Sequence, residues 1–404
     1  MPTDFLHGAE FIEVESGYRQ IKTSRSSIIG LVGLAGKGPV NVPTLITNYV
    51  EAVTTFGAYD GSEHKTGYTI PRALREIFDQ GNRSAMVAVI NVFDPDDHVS
   101  GVPEAPDPTV VTVADIVGGV DPDTGKRSGI EALLDIQGIY GFRPRILIVP
   151  EWSNETEVIT ALKTIAGKLR AIALVDIEDG TTKDDALTFA ETNGGDRIFL
   201  LYPYVNRTYS ESTSPILRPQ SPIWAGVISR TDNTLGWWWS PSNKDAYGVE
   251  GQEFPIDFGI SDTDSWANLL NEANINTIIN AQGWRTWGNR LDAVDTKFAF
   301  LPVRRTFDIV IDSLEIAALQ FVDRPINKAF FEDVVNAEQA FLNDLRGRGA
   351  IIHGRVWFIP EENTPEQIAS GNVSFNIEIT PTYPAERITH KVILDIGQLA
   401  TIFE

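Results

Sequence analysis

The middle of the chain constrains the fold most, because short apolar runs alternate there with amphipathic helical patterns. The runs PRILIVP (144–150), AIALVDI (171–177) and DRIFLLYPYV (196–205) predict buried strands. Helical patterns separate them, in ETEVITALKTIAGKLR (155–170) and in KDDALTFAETN. Parallel strands need such crossover helices, and strands that are covered on both faces are apolar throughout. The stretch therefore predicts a mostly parallel sheet in an α/β domain.

The sequence changes in character after residue 260. Longer helical patterns follow at about 306–322 and 328–346, and the runs GAIIHGRVWFIP and GNVSFNIEITP predict strands. With 404 residues, the chain is also longer than one compact core usually requires. We therefore predict an α/β domain over residues 21–260 and an α+β domain over residues 261–385.

Both ends of the chain show the alternation of short strands. Near the N-terminus, the run AEFIEVE carries Phe11, Ile12 and Val14. Near the C-terminus, the run RITHKVILDIG places these apolar residues on one face: Ile388, Val392, Leu394 and Ile396. Strands this short and this close to a terminus have open edges that can pair with another chain. We assign residues 1–20 and 386–404 to two terminal arms.

The charge of the chain limits its partners. The formal net charge is -22, with 33 basic and 55 acidic residues, so the protein repels phosphate backbones and we expect no direct contact with nucleic acid. The charge is unevenly spread, because residues 284–358 contain ten basic and ten acidic residues and are neutral as a group. A neutral region of this kind can face an acidic partner, including another copy of the chain.

Composition and the N-terminal sequence exclude several classes of protein. The chain has no cysteine, which excludes disulfides, thiolate nucleophiles and cysteine-ligated metals. The start MPTDFLHGAEF has neither the basic nor the apolar region of a signal peptide, and no apolar run approaches the roughly 20 residues that span a bilayer. We expect synthesis in the cytoplasm and no insertion into a membrane.

Motifs that would indicate catalysis are incomplete. In GLVGLAGKGP, Leu31 stands where a phosphate-binding loop needs its first glycine, and Gly38 stands where it needs Ser or Thr. In VDPDTGKRSG, Gly125 occupies the fifth position of a would-be calcium loop, which must supply a ligand. The five histidines have no zinc-pair spacing, and the chain contains no G-x-S-x-G elbow. We predict no catalytic residue, no metal site and no cofactor.

The stretch GWRTWGNRL is the most distinctive one in the sequence. It contains Trp284, Trp287, Gly288, Asn289 and Arg290 directly after an apolar strand, with no histidine or cysteine beside them. Glycine and asparagine supply a turn, and the arginines can reach carboxylates. We interpret the motif as a packing joint in preference to a subunit contact or a catalytic site.

Several stretches together resemble contractile tail sheath proteins of bacteriophages and of phage-tail-like bacteriocins. The most specific are WWWSPSN and GWRTWGNR. Further matching stretches, in the order of the family, are SSIIGLVGLAGKGPVNVPTLITN, SGIEALLDIQGIYGFRPRILIVP and NKAFFEDVVNAEQAFLNDLRGRGAIIHG. The resemblance runs through nearly the full length, and it is closest to the branch of P2-type phages and R-type pyocins.

The resemblance implies a structural subunit and no enzyme. It implies that the α/β domain lies outside, that the C-terminal domain rests on a rigid inner tube, and that the arms add strands to neighbouring subunits. Such subunits polymerise helically into stacked rings, and contraction drives the tube through a target cell envelope. For the tube contact the resemblance implies a helix and no fixed residues, and we place this contact on the helix at about 328–346, with Asn343, Arg346 and Arg348 at its end.

The implied partners are other copies of the chain, an inner tail tube protein, and baseplate and tail terminator proteins. The implied location is the virion tail, after synthesis in the cytoplasm of a bacterial host. Two alternatives remain at this point. One is an α/β enzyme, nucleotide-binding or hydrolytic, which the parallel sheet alone suggests. The other is a sheath subunit of a non-viral contractile injection machine.

Overall fold

The structure, a computed structural model, describes residues 21–59, 61, 67–81, 85–210 and 214–403. The predicted N-terminal strand residues Phe11, Ile12 and Val14 lie outside these ranges.

Within these ranges, helices and strands alternate along the first two thirds of the chain. The strands are β1 (Ile28–Gly33), β2 (Thr44–Ile46), β3 (Met86–Asn91), β4 (Val99–Ser100), β5 (Ala105–Pro106), β6 (Ile146–Ile148), β7 (Ile172–Asp176), β8 (Ile198–Leu201), β9 (Val205–Arg207), β10 (Ile216–Arg218), β11 (Gly251–Gln252), β12 (Ile275–Asn280), β13 (Trp284–Trp287), β14 (Ile351–Trp357) and β15 (Asn376–Pro381). The α-helices are α1 (Tyr49–Phe56), α2 (Thr69–Asp79), α3 (Val113–Val117), α4 (Ile136–Tyr140), α5 (Thr156–Leu169), α6 (Lys183–Asn193), α7 (Ser221–Thr234), α8 (Trp266–Glu272), α9 (Leu301–Ala318), α10 (Lys328–Gly347) and α11 (Pro365–Ala369).

The main sheet has the strand order β13-β12-β8-β7-β6-β1-β3-β2. The pairs from β3 through β1, β6, β7 and β8 to β12 are parallel, whereas the edge strands β2 and β13 are antiparallel to their neighbours. The prediction of a mostly parallel sheet is therefore confirmed.

Helices cover both faces of this sheet, which explains why its strands are apolar at every position. In β3, Val87 and Val89 belong to one core, and Ala88 and Ile90 belong to the core on the other face. The first core receives residues from α1, α2 and α7, and the second receives residues from α3, α5, α6 and α8. The result is a three-layer α/β domain.

The C-terminal part packs around two long helices and a small sheet. Helix α10 begins at the cap residue Asn327, whose side chain accepts a hydrogen bond from the backbone N–H of Phe330 at 2.9 Å. Strands β14 and β15 form an antiparallel pair that packs on α10. Their core also contains Trp237 and Ile21 from the earlier part of the chain, so the two parts share apolar surface.

The predicted domain boundary at residues 260/261 does not follow the sheet. Strands β12 and β13 extend the main sheet, and α8 packs on β12. The main sheet therefore continues past residue 260 as far as Trp287. The apolar run of β12 pairs in parallel with β8, and this long-range contact leaves no mark in the local pattern.

Two further elements differ from their predicted limits. Helix α9 begins at Leu301, earlier than predicted. Pro302 lies in its first turn, where a helix tolerates proline because the missing N–H is not needed. The C-terminal arm forms no strand within the described chain: Ile388, Val392 and Leu394 lie outside any helix or strand, and Ile396 begins a 3₁₀ helix.

Candidate functional site

The carboxyl edge of the parallel strands is the usual ligand site of α/β proteins, and here side chains of the protein occupy much of it. The glycine-rich loop after β1 packs against Tyr68, so closely that a Cβ on Gly36 would lie 2.6 Å from the ring. Beside it, the buried Arg72 on α2 donates to Glu151, which follows β6, at 3.2 Å. These side chains occupy part of the crevice, and a pocket of about 280 Å³ remains beside them, lined by Gly36, Lys37, Phe56, Gly57, Ala58, Tyr68 and Pro71.

A buried charge network continues from this ion pair. Arg218 donates to Glu76 at 2.8 Å and pairs with Glu151 at 3.1 Å, and all three side chains are almost fully buried. The hydroxyl of Tyr209 donates to Glu76, and burial raises the pKa of Tyr209. The charges are thus compensated within the network, as buried charges must be.

Asp176 at the end of β7 is a buried carboxyl at the same edge. It accepts a hydrogen bond from the backbone N–H of Ser221 at 2.8 Å, and burial raises its pKa to about 7. A raised pKa would suit an acid catalyst. However, Asp176 is only 1% exposed and its hydrogen bonds connect it to α7, so it holds the helix start and has no access to a substrate.

The GWRTWGNRL motif forms the last strand of the main sheet and the turn that leaves it. Trp287 packs against Phe258, with ring centroids 4.8 Å apart. Gly288 has φ 123°, and a Cβ there would lie 2.4 Å from the side-chain oxygen of Asn276. The backbone C=O of Asn289 accepts from the N–H of Leu301 at the start of α9.

Arg290 completes the motif by contacting the C-terminal segment. Its guanidinium lies over the ring of Phe300 at 4.8 Å and makes two hydrogen bonds to Glu386, one of them at 2.8 Å. These contacts link the sheet, α9 and the end of the chain, as a packing joint would.

The amino edge of the parallel strands carries a row of arginines. Arg145 directly precedes β6, Arg170 lies two residues before β7, and Arg197 directly precedes β8. Because these strands are neighbours in the sheet, the three side chains leave the same edge side by side.

Helix α9 crosses this edge and presents carboxylates to the arginine row. Arg197 binds Asp308 through two hydrogen bonds of 2.7 and 2.9 Å. Asp312, one turn later, accepts from Arg170 at 2.6 Å and pairs with Arg145. Four residues of a helix span about 6 Å along its axis, and neighbouring strands are about 4.8 Å apart. A slightly tilted helix can therefore place carboxylates four residues apart opposite neighbouring strands.

Sequence reasoning missed this joint, although a signal is present in the sequence. An arginine stands just before each of the three apolar runs of the central region, at 145, 170 and 197. Acidic residues occupy positions 308, 312 and 315, which is the spacing of one helical face. Together these two patterns indicate a helix that docks on the amino edge of a parallel sheet.

A second joint involves the predicted tube-facing residues. The guanidinium of Arg348 lies 5.2 Å from the ring centre of Trp237 and 5.4 Å from that of Trp238. By contrast, Asn343 and Arg346 are exposed at the end of α10, and Arg346 has no ion pair within the described chain. Arg348 therefore already has partners within its own chain, and Asn343 accepts a hydrogen bond from Gln339 at 3.3 Å.

The C-terminal arm is exposed along its apolar residues. Exposure reaches 70% for Ile388, 92% for Val392 and 88% for Leu394. Exposed apolar residues in one contiguous segment are typical of an interaction surface.

Two classes of site are absent from the described residues. They contain no group of three or more His, Asp or Glu side chains placed to hold a metal ion. Across the same part of the chain, no helix is long and apolar enough to cross a membrane.

Comparison with known proteins gives matches along nearly the whole chain. The phage tail sheath protein central domain matches residues 125–290, and the phage tail sheath C-terminal domain matches residues 293–395. The tail sheath protein of Burkholderia phage BcepMu is 32% identical, and the alignment covers 100% of this chain and 99% of that protein. A prophage major tail sheath protein of Pseudomonas aeruginosa (strain UCBPP-PA14) is 36% identical over 96% of each chain.

A solved structure shows the same fold. The helical sheath of the anti-feeding prophage in its contracted state superposes with a TM-score of 0.69, at 20% identity, over 97% of this chain and 100% of that chain. The family domains, the two relatives and the shared fold agree with one another: the chain belongs to the phage tail sheath protein family.

Proposed function

We propose that the protein is the structural subunit of a contractile tail sheath, which polymerises helically around an inner tube and contracts to drive that tube through a target cell envelope. The observation that carries the proposal is the exposed C-terminal arm. Ile388, Val392 and Leu394 are 70%, 92% and 88% exposed, a state that a neighbouring subunit would relieve. The ion pairs of Arg72, Glu151, Arg218 and Glu76 at the carboxyl edge of the main sheet are buried and bind one another, which supports a structural role for these charges.

The small sheet of β14 and β15 is the acceptor we propose for the arms. Among the described residues it has two strands, so the outer edge of β15 has no partner strand, whereas Gln339 on α10 binds the outer edge of β14 at Gly354 and Val356. Two-stranded sheets gain stability from additional strands. Ile352 and Ile377 on this sheet are 59% and 40% exposed. A strand added from the terminal arm of a neighbour would pair with the edge of β15, and a strand on the β14 side would replace the bonds to Gln339; both would cover these side chains.

Deletion of residues 1–15 tests the proposal. The purified protein should form long striated tubes in negative-stain electron microscopy. The deletion variant should remain folded, with an unchanged circular dichroism spectrum, but should form no long tubes. Normal contractile tubes from the truncated protein would show that the N-terminal arm is not the linkage between subunits.

We also propose that the exposed end of α10 faces the tube. Arg346 is exposed and has no carboxylate partner among the described residues, so Arg346→Glu should weaken assembly on tubes more than assembly of sheath alone. Each exposed contact contributes only about 0–1 kcal/mol, so the effect arises from repetition along the tube. Lys328→Glu at the other end of the same helix, where the side chain is 91% exposed, is the matched control. Equal effects of the two variants would contradict the assignment.

A sheath subunit of a non-viral contractile injection machine is the second candidate. The observation that favours it is the fold shared with the anti-feeding prophage sheath and with an extracellular contractile injection system sheath, at TM-scores of 0.69 and 0.68. The neighbouring genes distinguish the two candidates, because a capsid gene accompanies a phage tail. Copurification with an inner tube protein, a baseplate protein and a terminator protein would identify the remaining partners.

A further inference from the structure

A positively charged surface with two exposed aromatic rings lies where residues 243–246 pair with the outer edge of β13. Its residues are Arg230, Trp239, Lys244, Tyr247 and Arg285, which we call the basic–aromatic patch. Trp239 and Tyr247 are each 48% exposed. Arg230 lies over Tyr247 at 4.7 Å, and Lys244 lies 5.8 Å from the ring centre of Trp239.

The positive charges of the patch exceed its negative charges. Arg285 pairs with Asp245 at 3.0 Å, and Arg230 donates to the backbone carbonyls of Gln80 and Asp245. Lys244 has no carboxylate within ion-pair distance in the described chain. Burial, and then the charges of Arg230 and Arg285, lower the pKa of Lys244. Three cations and one carboxylate leave a local charge of +2 in a chain whose net charge is -22.

Such a surface fits an acidic peptide segment. Exposed Trp, Tyr and Arg side chains are the residues that contribute most at protein interfaces. An anionic partner would compensate the three clustered cations, and opposite charges also orient the partner.

The chain itself contains a segment of the matching charge. Residues 94–107 carry five acidic residues and no lysine or arginine, and Asp96, Asp97 and Glu104 are exposed. This acidic segment follows β3, next to the edge strand β2, and leads into α3 on the face covered by α5. The patch lies at the opposite edge of the sheet, on the face covered by α7. The two surfaces therefore cannot meet within one chain.

We propose that the basic–aromatic patch of one subunit binds the acidic segment 94–107 of a second copy. The proposal rests on the proposed function, since it describes one contact of the sheath. Two complementary surfaces on opposite edges and opposite faces give a head-to-tail contact, and contacts of this type continue into open helical assemblies.

Charge reversal on each side tests the contact. The patch variant Asn243→Asp/Lys244→Glu changes the local charge from +2 to -1, and Asp at position 243 keeps an acceptor for Arg285. The segment variant Asp96→Lys/Asp97→Lys/Glu104→Lys changes five negative charges to a net +1. Each variant alone should raise the protein concentration needed for tube formation by about tenfold or more, because like charges then face each other at every contact. Pelleting across a concentration series measures this.

Mixing the two variants is the decisive experiment. In the mixture, the negative patch of the patch variant can bind the positive segment of the segment variant. The unchanged patch of the segment variant can bind the unchanged segment of the patch variant. An equimolar mixture should therefore recover tube formation. Lys163→Glu/Lys168→Glu on α5 is the control: it removes more positive charge than the patch variant but should shift the concentration less than twofold. Melting curves of the unassembled variants confirm that each is folded.

Recovery in the mixture but in neither variant alone would support the contact. Unchanged assembly of either single variant, or a mixture that assembles no better than its components, would overturn it while leaving the sheath function intact. Failure of the wild-type protein to form tubes would instead overturn the proposed function, and this contact with it.

Discussion

At the scale of single residues, the buried carboxyl of Glu338 on α10 makes the stability of the protein depend on pH. Glu338 is 7% exposed, its Oε2 has no hydrogen-bond partner among the described residues, and burial raises its pKa to about 7. The folded state therefore retains a proton that the unfolded state loses above its ordinary pKa of about 4.5. The stabilisation is complete below that value and is lost as the pH rises to about 7.

Glu338→Gln should remove this pH dependence. We expect the variant to unfold like the wild type near pH 4.5 and to be more stable at pH 8, by up to about 3 kcal/mol. Denaturant unfolding of the unassembled protein at several pH values measures the difference. If the difference in free energy of unfolding between the variant and the wild type stays constant from pH 4.5 to 8, the assignment of the proton to Glu338 is contradicted.

Trp287 is the second residue for which the structure predicts the effect of a substitution on stability. It is half-buried and packs edge to face on Phe258, so it contributes less than a fully buried tryptophan. We expect Trp287→Ala to lower the free energy of unfolding by about 2–3 kcal/mol, below the 3–5 kcal/mol of full burial. Thermal unfolding measures the loss, and Trp239→Ala at the exposed surface is a matched control that should leave it nearly unchanged. An unchanged melting temperature of Trp287→Ala would contradict the interpretation of the motif as a packing joint.

At the scale of elements, α9 depends on the arginine row. Asp312→Ala would leave Arg145, which is only 4% exposed, without its carboxylate partner. Removing one member of a buried pair usually costs about 3–5 kcal/mol. Glu315 on the same helix is 48% exposed, so Glu315→Ala should cost about 0–1 kcal/mol. If urea unfolding shows that Asp312→Ala and Glu315→Ala lower the free energy of unfolding equally, Asp312 does not hold α9 to the sheet.

The elements also show how far the sequence predicts the structure. The strands β6, β7 and β8 could be predicted because each is buried on both faces and is bounded by a helix. Strand β12 looked the same locally, but its assignment to the main sheet depends on pairing with β8, more than 70 residues earlier. The residues of GWRTWGNRL could be singled out from the sequence, whereas their contacts Phe258 and Glu386 come from distant parts of the chain.

At the scale of the whole molecule, the C-terminal arm adds little to the stability of the free subunit. The apolar residues from Ile388 to Leu394 are largely exposed and contribute almost no burial within the chain. Truncation after Arg387 keeps the Arg290–Glu386 pair and should leave the melting temperature within about 2 °C of the wild type. Calorimetry measures this, and pelleting of the same sample should show that tubes no longer form. A large drop in melting temperature would mean that the arm folds onto its own subunit.

The arginine row also determines how the subunit withstands force. A pull along α9 loads the pairs of Arg197 with Asp308 and of Arg145 and Arg170 with Asp312 at the same moment, because they lie side by side on three adjacent strands. Contacts loaded in parallel must break together, whereas contacts in series would peel away one after another. We therefore expect the sheet edge to resist shear along α9 as a unit, so that a force on one end of the helix reaches three strands at once.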